Sequence, residues 1–238
     1  YEDADKTYAK VLSDASAIIA SAREHICKKI SREGKGVVVF NSLAWPRNGI
    51  LETEKTKLRL VDGEDMLVSQ DVTDIHGLKK RLIQVSGIPS QGFKTFATTK
   101  NRKAPLTKTS LKISQGKMEN RFFRIRLDRH GEISSIYDKR NRREVVAERK
   151  KANQLIAFED RPLNFDAWDV DIYYNEKPYP VTDLREKPAV IENGPLRGGI
   201  CLQRDFGRSS LRQHICIYDS VPRIDFFTHV DWQEKNML

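Results

Sequence analysis

The hydrophobic period of this chain changes once, around Gly34 to Gly36, and that single change limits what it can fold into. Before it, Tyr8, Val11, Leu12, Ala15, Ile18, Ile19, Ala22, Ile26 and Ile30 recur every three or four residues, the spacing of one helical face. Glu2, Asp3 and Asp5 at the start and Lys28, Lys29 and Arg32 at the end complement a helix dipole, and Gly34 supplies the stop. No second stretch of this kind follows. One helix cannot bury such a stripe by itself, so the stripe is exposed, docked elsewhere or paired with a copy of itself. Burial of about 1.5–3 kcal/mol per large side chain favours the last, a homodimer through the helix.

Everything after Gly36 reads as strands and turns. Val37 to Phe40, Ile50 to Glu54, Leu58 to Val61, Met66 to Val72, Lys80 to Val85 and Phe93 to Thr98 are strand candidates, broken by Asp62-Gly63, Gly87, Pro89 and Gly92. They make a small all-β unit, and Lys100 to Leu106, with its charge run and Pro105, is the expected linker. A second unit opens with Leu111 to Ser114. Asn120 to Leu127 and Glu132 to Asp138 then form a hairpin that ends in a basic turn, and Asn153 to Phe158 precedes the acidic stretch. After an irregular stretch, three alternating strands run to the C-terminus. The fold class is therefore mainly β, preceded by one long helix. Domains are expected at 1–34, 35–105 and 106–238.

Two of those last strands, Gly198 to Phe206 and Ser210 to Tyr218, allow a register to be predicted. Pairing Gly207 with Ser210 sets Phe206 opposite Leu211, Leu202 opposite Ile215 and Cys201 opposite Cys216. Sliding by two sets Arg204 opposite Leu211 and Leu202 opposite Gln213, which spoils the apolar face, and sliding by one inverts the pleat.

Composition excludes several functions. No apolar run approaches the roughly 20 residues of a membrane span. The chain opens Tyr1-Glu2-Asp3 with neither signal peptide nor initiating Met, as a fragment or processed chain would, and the cytoplasm is the expected compartment. Three scattered cysteines make neither a disulfide framework nor a zinc site. The net charge of +9 is concentrated in Lys100 to Lys103, Lys139 to Arg143 and Arg149 to Lys151, turn-like runs without interleaved aromatics. They read as solvated surface, and no nucleic-acid partner is expected. Asp225, His229 and Asp231 share one strand face, but their spacing spreads them over about 20 Å, too far for one ion. The five histidines are isolated from one another in sequence, and no metal site is expected.

One stretch concentrates chemistry. Asn164-Phe165-Asp166-Ala167-Trp168-Asp169-Val170-Asp171 is followed by Tyr173 and Tyr174 and preceded by Phe158-Glu159-Asp160-Arg161-Pro162. Pro162 opposes a regular element across the join. Flat aromatic faces beside ionised acceptors suit a sugar, whose ring is apolar on its faces and rimmed by hydroxyls. The plainer alternative is an acidic surface loop with Trp168 tucked inward. Asp166, Trp168, Asp169 and Asp171 are the candidate substrate-binding residues. Trp168 is expected to be partly buried.

These segments, with Val37 to Arg47, Glu119 to Phe123, Gly131 to Lys139, Asn153 to Leu155, Glu192 to Arg197 and Val230 to Trp232, occur in the order that resembles the C-terminal part of glycoside hydrolase family 38 α-mannosidases of the cytosolic and bacterial branch. The resemblance covers nearly the whole chain. It implies an N-terminal catalytic barrel, a helical middle domain ending in residues 1–34, a small β domain, and a galactose-mutarotase-like supersandwich that Leu238 truncates. It also implies a retaining mechanism on mannose-containing oligosaccharides, with an Asp nucleophile, a second carboxylic acid and one zinc ion. The resemblance places those groups in the barrel, and none has a match here. The chain is thus expected to hold no cofactor, to partner the barrel and helical domain of its parent, to help line the active-site mouth, and to be inactive alone. A carbohydrate-binding or purely structural sandwich is the alternative, with a basic nucleic-acid-binding domain ranked behind it.

Overall fold

The computed structural model describes residues 2–30, 35–55, 59–99, 105, 107–165 and 168–238. The helical period is realised as α1 (Glu2–Lys29), acidic in its first turn and basic in its last. Lys10–Asp14 and Glu24–Lys28 pairs, one turn apart, brace its surface at 2.8 Å. None of its residues is buried. Within the single chain its apolar stripe lies open, and Arg23 approaches the Phe40 ring at 6.0 Å.

The strands of the first unit are β1 (Gly36–Asn41), β2 (Arg47–Glu54), β3 (Arg59–Asp62), β4 (Asp65–Met66), β5 (Ser69–Thr73), β6 (Lys79–Ile88) and β7 (Gly92–Thr99). They form two antiparallel sheets, ordered β1-β7-β3-β4 and β2-β6-β5. Alternate residues of both, among them Leu60, Ile83, Val85, Ile88 and Phe96, meet in one buried cluster. The expected strand over Met66 to Val72 is two strands, because Leu67 and Val68 leave the ladder to bond across to Leu60 and Gln84. Leu58, the helix stop at Gly34 and most of the expected linker lie outside the described residues.

The second unit comprises β8 (Lys112–Ser114), β9 (Lys117–Glu119), β10 (Phe123–Leu127), β11 (Ile133–Asp138), β12 (Arg143–Glu144), β13 (Ile156–Phe158), β14 (Pro178–Pro180), β15 (Ala189–Asn193), β16 (Arg197–Phe206), β17 (Ser209–Tyr218) and β18 (Ile224–Asp231). A five-stranded sheet, β12-β11-β10-β9-β8, and a four-stranded sheet, β15-β16-β17-β18, share a core of Met118, Ile125, Ile133, Ile200, Leu202, Ile215 and Ile217. The layers approach closely at Gly198, where a Cβ would come within 2.5 Å of Ile113. The outer strand β18 leaves Phe226, Phe227 and Val230 exposed. β13 and β14 form a separate ribbon.

The two units meet through β5 and the start of β16. Gln70 is buried there. Its side-chain carbonyl accepts the Leu196 and Arg197 amides at 2.8 and 2.9 Å, and its amide donates to the Arg197 carbonyl at 2.8 Å. Arg197 forms a bidentate pair with buried Glu192, both contacts 2.7 Å. Val72, Leu82 and Leu196 close an apolar cluster beside it.

The register of β16 and β17 corrects the expectation. Phe206 pairs with Ser209, Arg204 with Leu211, Leu202 with Gln213 and Cys201 with His214, a slip of two residues. Turn chemistry decides it. A two-residue hairpin loop needs φ > 0 at its first position, and the observed loop puts Gly207 there at φ +56°, whereas the expected register would have put Arg208 there. The Glu234 carboxylate then accepts the Arg208 amide at 2.6 Å and the Ser209 hydroxyl at 3.1 Å. The polar residues thought to spoil the inner face are satisfied within it. Arg204 donates to the Val181 and His130 carbonyls at 2.9 and 2.5 Å, and Gln213 accepts from Asn153 at 2.7 Å and donates to Thr228 at 3.0 Å.

Cys201 and Cys216 are therefore not opposed, but both are buried and free, while Cys27 is exposed. Burial pushes the Cys201 thiol up, and the Cys216 thiol up to about 12. Alkylation of the native chain at neutral pH should label Cys27 alone, read by peptide mass spectrometry, with Cys201 and Cys216 reacting only after denaturation.

Glu119 gathers Lys117 at 2.7 Å and Lys139 at 2.8 Å. Hydrogen bonds from Lys117 and then Lys139 lower its pKa to about 2 from 4.5. A carboxylate depressed on folding contributes stability that is present above about pH 4.5 and is lost as pH falls toward about 2. Urea unfolding of Glu119→Gln should accordingly lose its difference from wild type across that window.

Candidate functional site

The acidic aromatic stretch forms one long loop, residues 159–177, because β13 and β14 pair antiparallel on either side of it, Phe158 opposite Pro178. Its base is tied to the end of the chain. The Phe158 amide donates to the Leu238 carbonyl at 2.7 Å, the Leu238 amide donates back at 3.0 Å, and the Asp160 amide donates to the Asn236 carbonyl at 2.8 Å. Phe158 and Tyr174 meet edge to face with ring centres 5.1 Å apart.

Within the loop, the half-buried Asp171 carboxylate accepts the Leu163 amide at 2.8 Å and draws the two sides together. Tyr174 donates its amide to the Asp171 carbonyl at 3.0 Å, starting a 3-10 turn over Ile172–Glu176. At the tip, Phe165 takes φ +57°, and its carbonyl accepts the Trp168 and Asp169 amides at 2.7 and 3.0 Å. Backbone and carboxylate bonds thus shape the loop. They leave its aromatic side chains outside.

That arrangement corrects the expected burial of Trp168, which is 87% exposed. Leu163, Phe165, Ile172 and Tyr173 are also exposed, a concentration of apolar surface that is unusual on a loop. The four candidate residues separate. Asp171 lines an open cleft of about 550 Å³ together with Glu159, Asp160, Tyr173, Tyr174 and Lys177. Trp168 and Asp169 stand on the tip, exposed, and Asp166 lies outside the described residues. Lys177, absent from the sequence-derived set, places its ammonium 5.5 Å from the Tyr179 ring centre, and its hydrogen bond to Tyr179 raises its pKa. No periodicity marks Lys177. It reaches the cleft only because the ribbon returns the chain there.

The cleft offers carboxylate acceptors, an ammonium donor and aromatic edges, a set that can hold a polyhydroxylated ring. Among the described residues, no three His, Cys, Asp or Glu side chains converge as a metal site. No helix among the described residues is long and apolar enough to cross a membrane. The basic turn after β11 is engaged internally: Lys139 bonds the Asn120 carbonyl at 2.6 Å, and Arg140 lies 5.5 Å from the Phe122 ring centre.

Because Trp168 is the most exposed tryptophan, Trp168→Phe should remove the most quencher-accessible tryptophan emission while unfolding free energy stays within about 0.5 kcal/mol of wild type. Acrylamide quenching alongside urea unfolding measures both.

Against known proteins, the profile described as "Glycosyl hydrolases family 38 C-terminal domain" matches residues 118–238. Alpha-mannosidase G of Dictyostelium discoideum is 26% identical over 278 residues, covering 100% of this chain and 25% of that protein. Alpha-mannosidase 2C1 of Mus musculus is 27% identical over 242 residues, covering 99% and 21% respectively. The crystal structure of an alpha-mannosidase from Enterococcus faecalis V583 superposes with a TM-score of 0.60 at 10% identity, over 84% of this chain and 30% of that one. The chain spans about a quarter or less of the length of these curated relatives.

Proposed function

Since the chain belongs to the glycosyl hydrolase family 38 C-terminal domain family, we propose that it is the C-terminal β part of a retaining α-mannosidase that removes terminal mannose from oligosaccharides. Loop 159–177 then faces the catalytic domain and completes the mouth of its sugar site. The observation that carries this reading is the loop itself: rigid at its base, acidic in its cleft, with Trp168 and Tyr173 uncovered. Trp168 offers a flat face to a sugar ring, and Asp169 and Asp171 offer acceptors to its hydroxyls.

In this reading, residues 1–34 end a helical domain, and 35–105 and 106–238 are a small and a large β domain of one cytoplasmic protein. The open stripe of α1 packs on helices of that same protein, and on a second copy of α1 when the chain is isolated. Nucleophile and general acid come from the catalytic domain, so the isolated chain does not turn over mannosides. The donor groups described here do not fit the zinc ion that the family resemblance implies, and no step is assigned to it in this chain.

The test is kinetic and uses the full-length enzyme. Trp168→Ala, Asp169→Asn and Asp166→Asn should each lower kcat/KM for an aryl α-mannoside by at least about tenfold, a loss of about 1.4 kcal/mol of transition-state binding. Melting temperature should stay near wild type. Wild-type kinetics in all three, with stability intact, would leave the loop a purely structural or remote carbohydrate-binding role.

A further inference from the structure

Asparagine followed directly by glycine occurs twice in this chain, at Asn48-Gly49 and at Asn193-Gly194. Such a pair can react with itself, because no Cβ on the second residue crowds the approach of its backbone nitrogen to the asparagine carboxamide. The fold places the two pairs in opposite circumstances.

Asn193 is held. It pairs with Gly198 in the β15–β16 ladder, and the Gly194 amide donates to the Arg197 carbonyl at 2.9 Å, so the nitrogen that would attack is already committed. Gln70 and the buried pair of Arg197 with Glu192 fix the same turn. Asn48 lies on β2, an edge strand. There the ladder steps from the Arg47–Ile88 pair to the Gly49–Val85 pair, so Ser86 and Gly87 bulge out opposite Asn48, which has no ladder partner. Its side-chain Oδ1 accepts the Gly87 amide instead, at 2.8 Å. Asn48 is exposed, and with Arg47 and Arg223 it lines an open cavity of about 300 Å³ that admits water.

We propose that Asn48 is a site of spontaneous covalent modification, deamidation through a cyclic imide. The Gly49 backbone nitrogen gives up its proton and bonds to Asn48 Cγ, the Cγ–Nδ2 bond breaks, and Nδ2 leaves as ammonia. Water then opens the imide. Hydrolysis at Cγ yields aspartate, and hydrolysis at the backbone carbonyl yields isoaspartate, with no oxidant or reductant consumed. Two features of the fold favour the first step. The Gly87 N–H already on Oδ1 stabilises the negative charge that gathers there as the nitrogen adds. Asn48 also has no ladder pair to break as its side chain turns toward ring closure. The aspartate product sets a carboxylate in the cavity that Arg47 and Arg223 line, and the isoaspartate product lengthens the β2 backbone by one carbon.

The experiment ages the full-length protein in mildly alkaline buffer and follows both asparagines by peptide mass spectrometry, with isoaspartate resolved from aspartate. In the folded protein Asn48 should convert at least about tenfold faster than Asn193, whereas in urea-unfolded protein the two rates should agree within about threefold. Gly49→Ala is the matching variant, since a Cβ there would meet nothing within 4 Å and leaves the fold intact. It should slow conversion at residue 48 by at least about tenfold and leave Asn193 unchanged. Comparable folded-state rates at the two asparagines would overturn the proposal, as would an unchanged rate in Gly49→Ala or a product free of isoaspartate.

Discussion

The buried pair of Arg197 with Glu192, and Gln70 reaching across to the same strand, is the contact on which the placement of everything else depends. Burial works against the Arg197 charge, yet the Glu192 carboxylate more than offsets it and raises the pKa of the guanidinium. An ion pair sunk this deep contributes little net stability compared with apolar packing, but it tolerates almost no change in geometry. Gln70 uses both its donor and its acceptor on the backbone where β16 begins. The small sandwich is thereby fixed to the strand from which the large core is built, and the Phe227 ring lies 5.6 Å from the same guanidinium.

Among the described residues, apolar side chains stay uncovered along α1, at Phe165 and Trp168 of loop 159–177, and on β18. They differ in kind. The helix and the strand are regular elements with one apolar side too many, whereas the loop is tied by hydrogen bonds at its base and at Asp171 while Phe165, Trp168 and Tyr173 stay exposed. Packing alone accounts for buried aromatics. It gives no account of a carboxylate, Asp171, used to hold a loop whose Trp168 is 87% exposed. That contrast is why the loop, and not the larger apolar faces, is the candidate site.

Fold class was readable because period is a local property: the switch at Gly34 to Gly36 and the alternation in β16 and β17 are written in neighbouring residues. Register was not readable from alternation, since a slip of two leaves every side chain on its own face. The deciding signal was present in Gly207, the one residue there that enters a hairpin loop at φ > 0 without strain. The burial of Arg204 and Gln213 could not be foreseen, because their partners Val181, His130 and Asn153 come from elsewhere in the chain. The chemistry of the loop was legible in its composition. The outward set of Trp168 and the arrival of Lys177 in the cleft depend on the β13–β14 pairing, which short apolar segments rich in proline do not announce.

The ties between the base of the loop and residues 236–238 have a bearing on the order of events during synthesis. Phe158 and Asp160 emerge from the ribosome long before Asn236 and Leu238, and the entropy of closing so long a segment must be met before those bonds can form. The small sandwich can close sooner, because all its strands lie within residues 36–99, although its β1–β7 and β2–β6 pairings are themselves non-local. For much of translation the nascent chain would then carry a finished N-terminal unit beside an unset aromatic loop. That interval leaves the backbone at the base of the loop open to chaperones and to other nascent chains until its bonds to residues 236–238 form, a vulnerability in time that the finished molecule does not share.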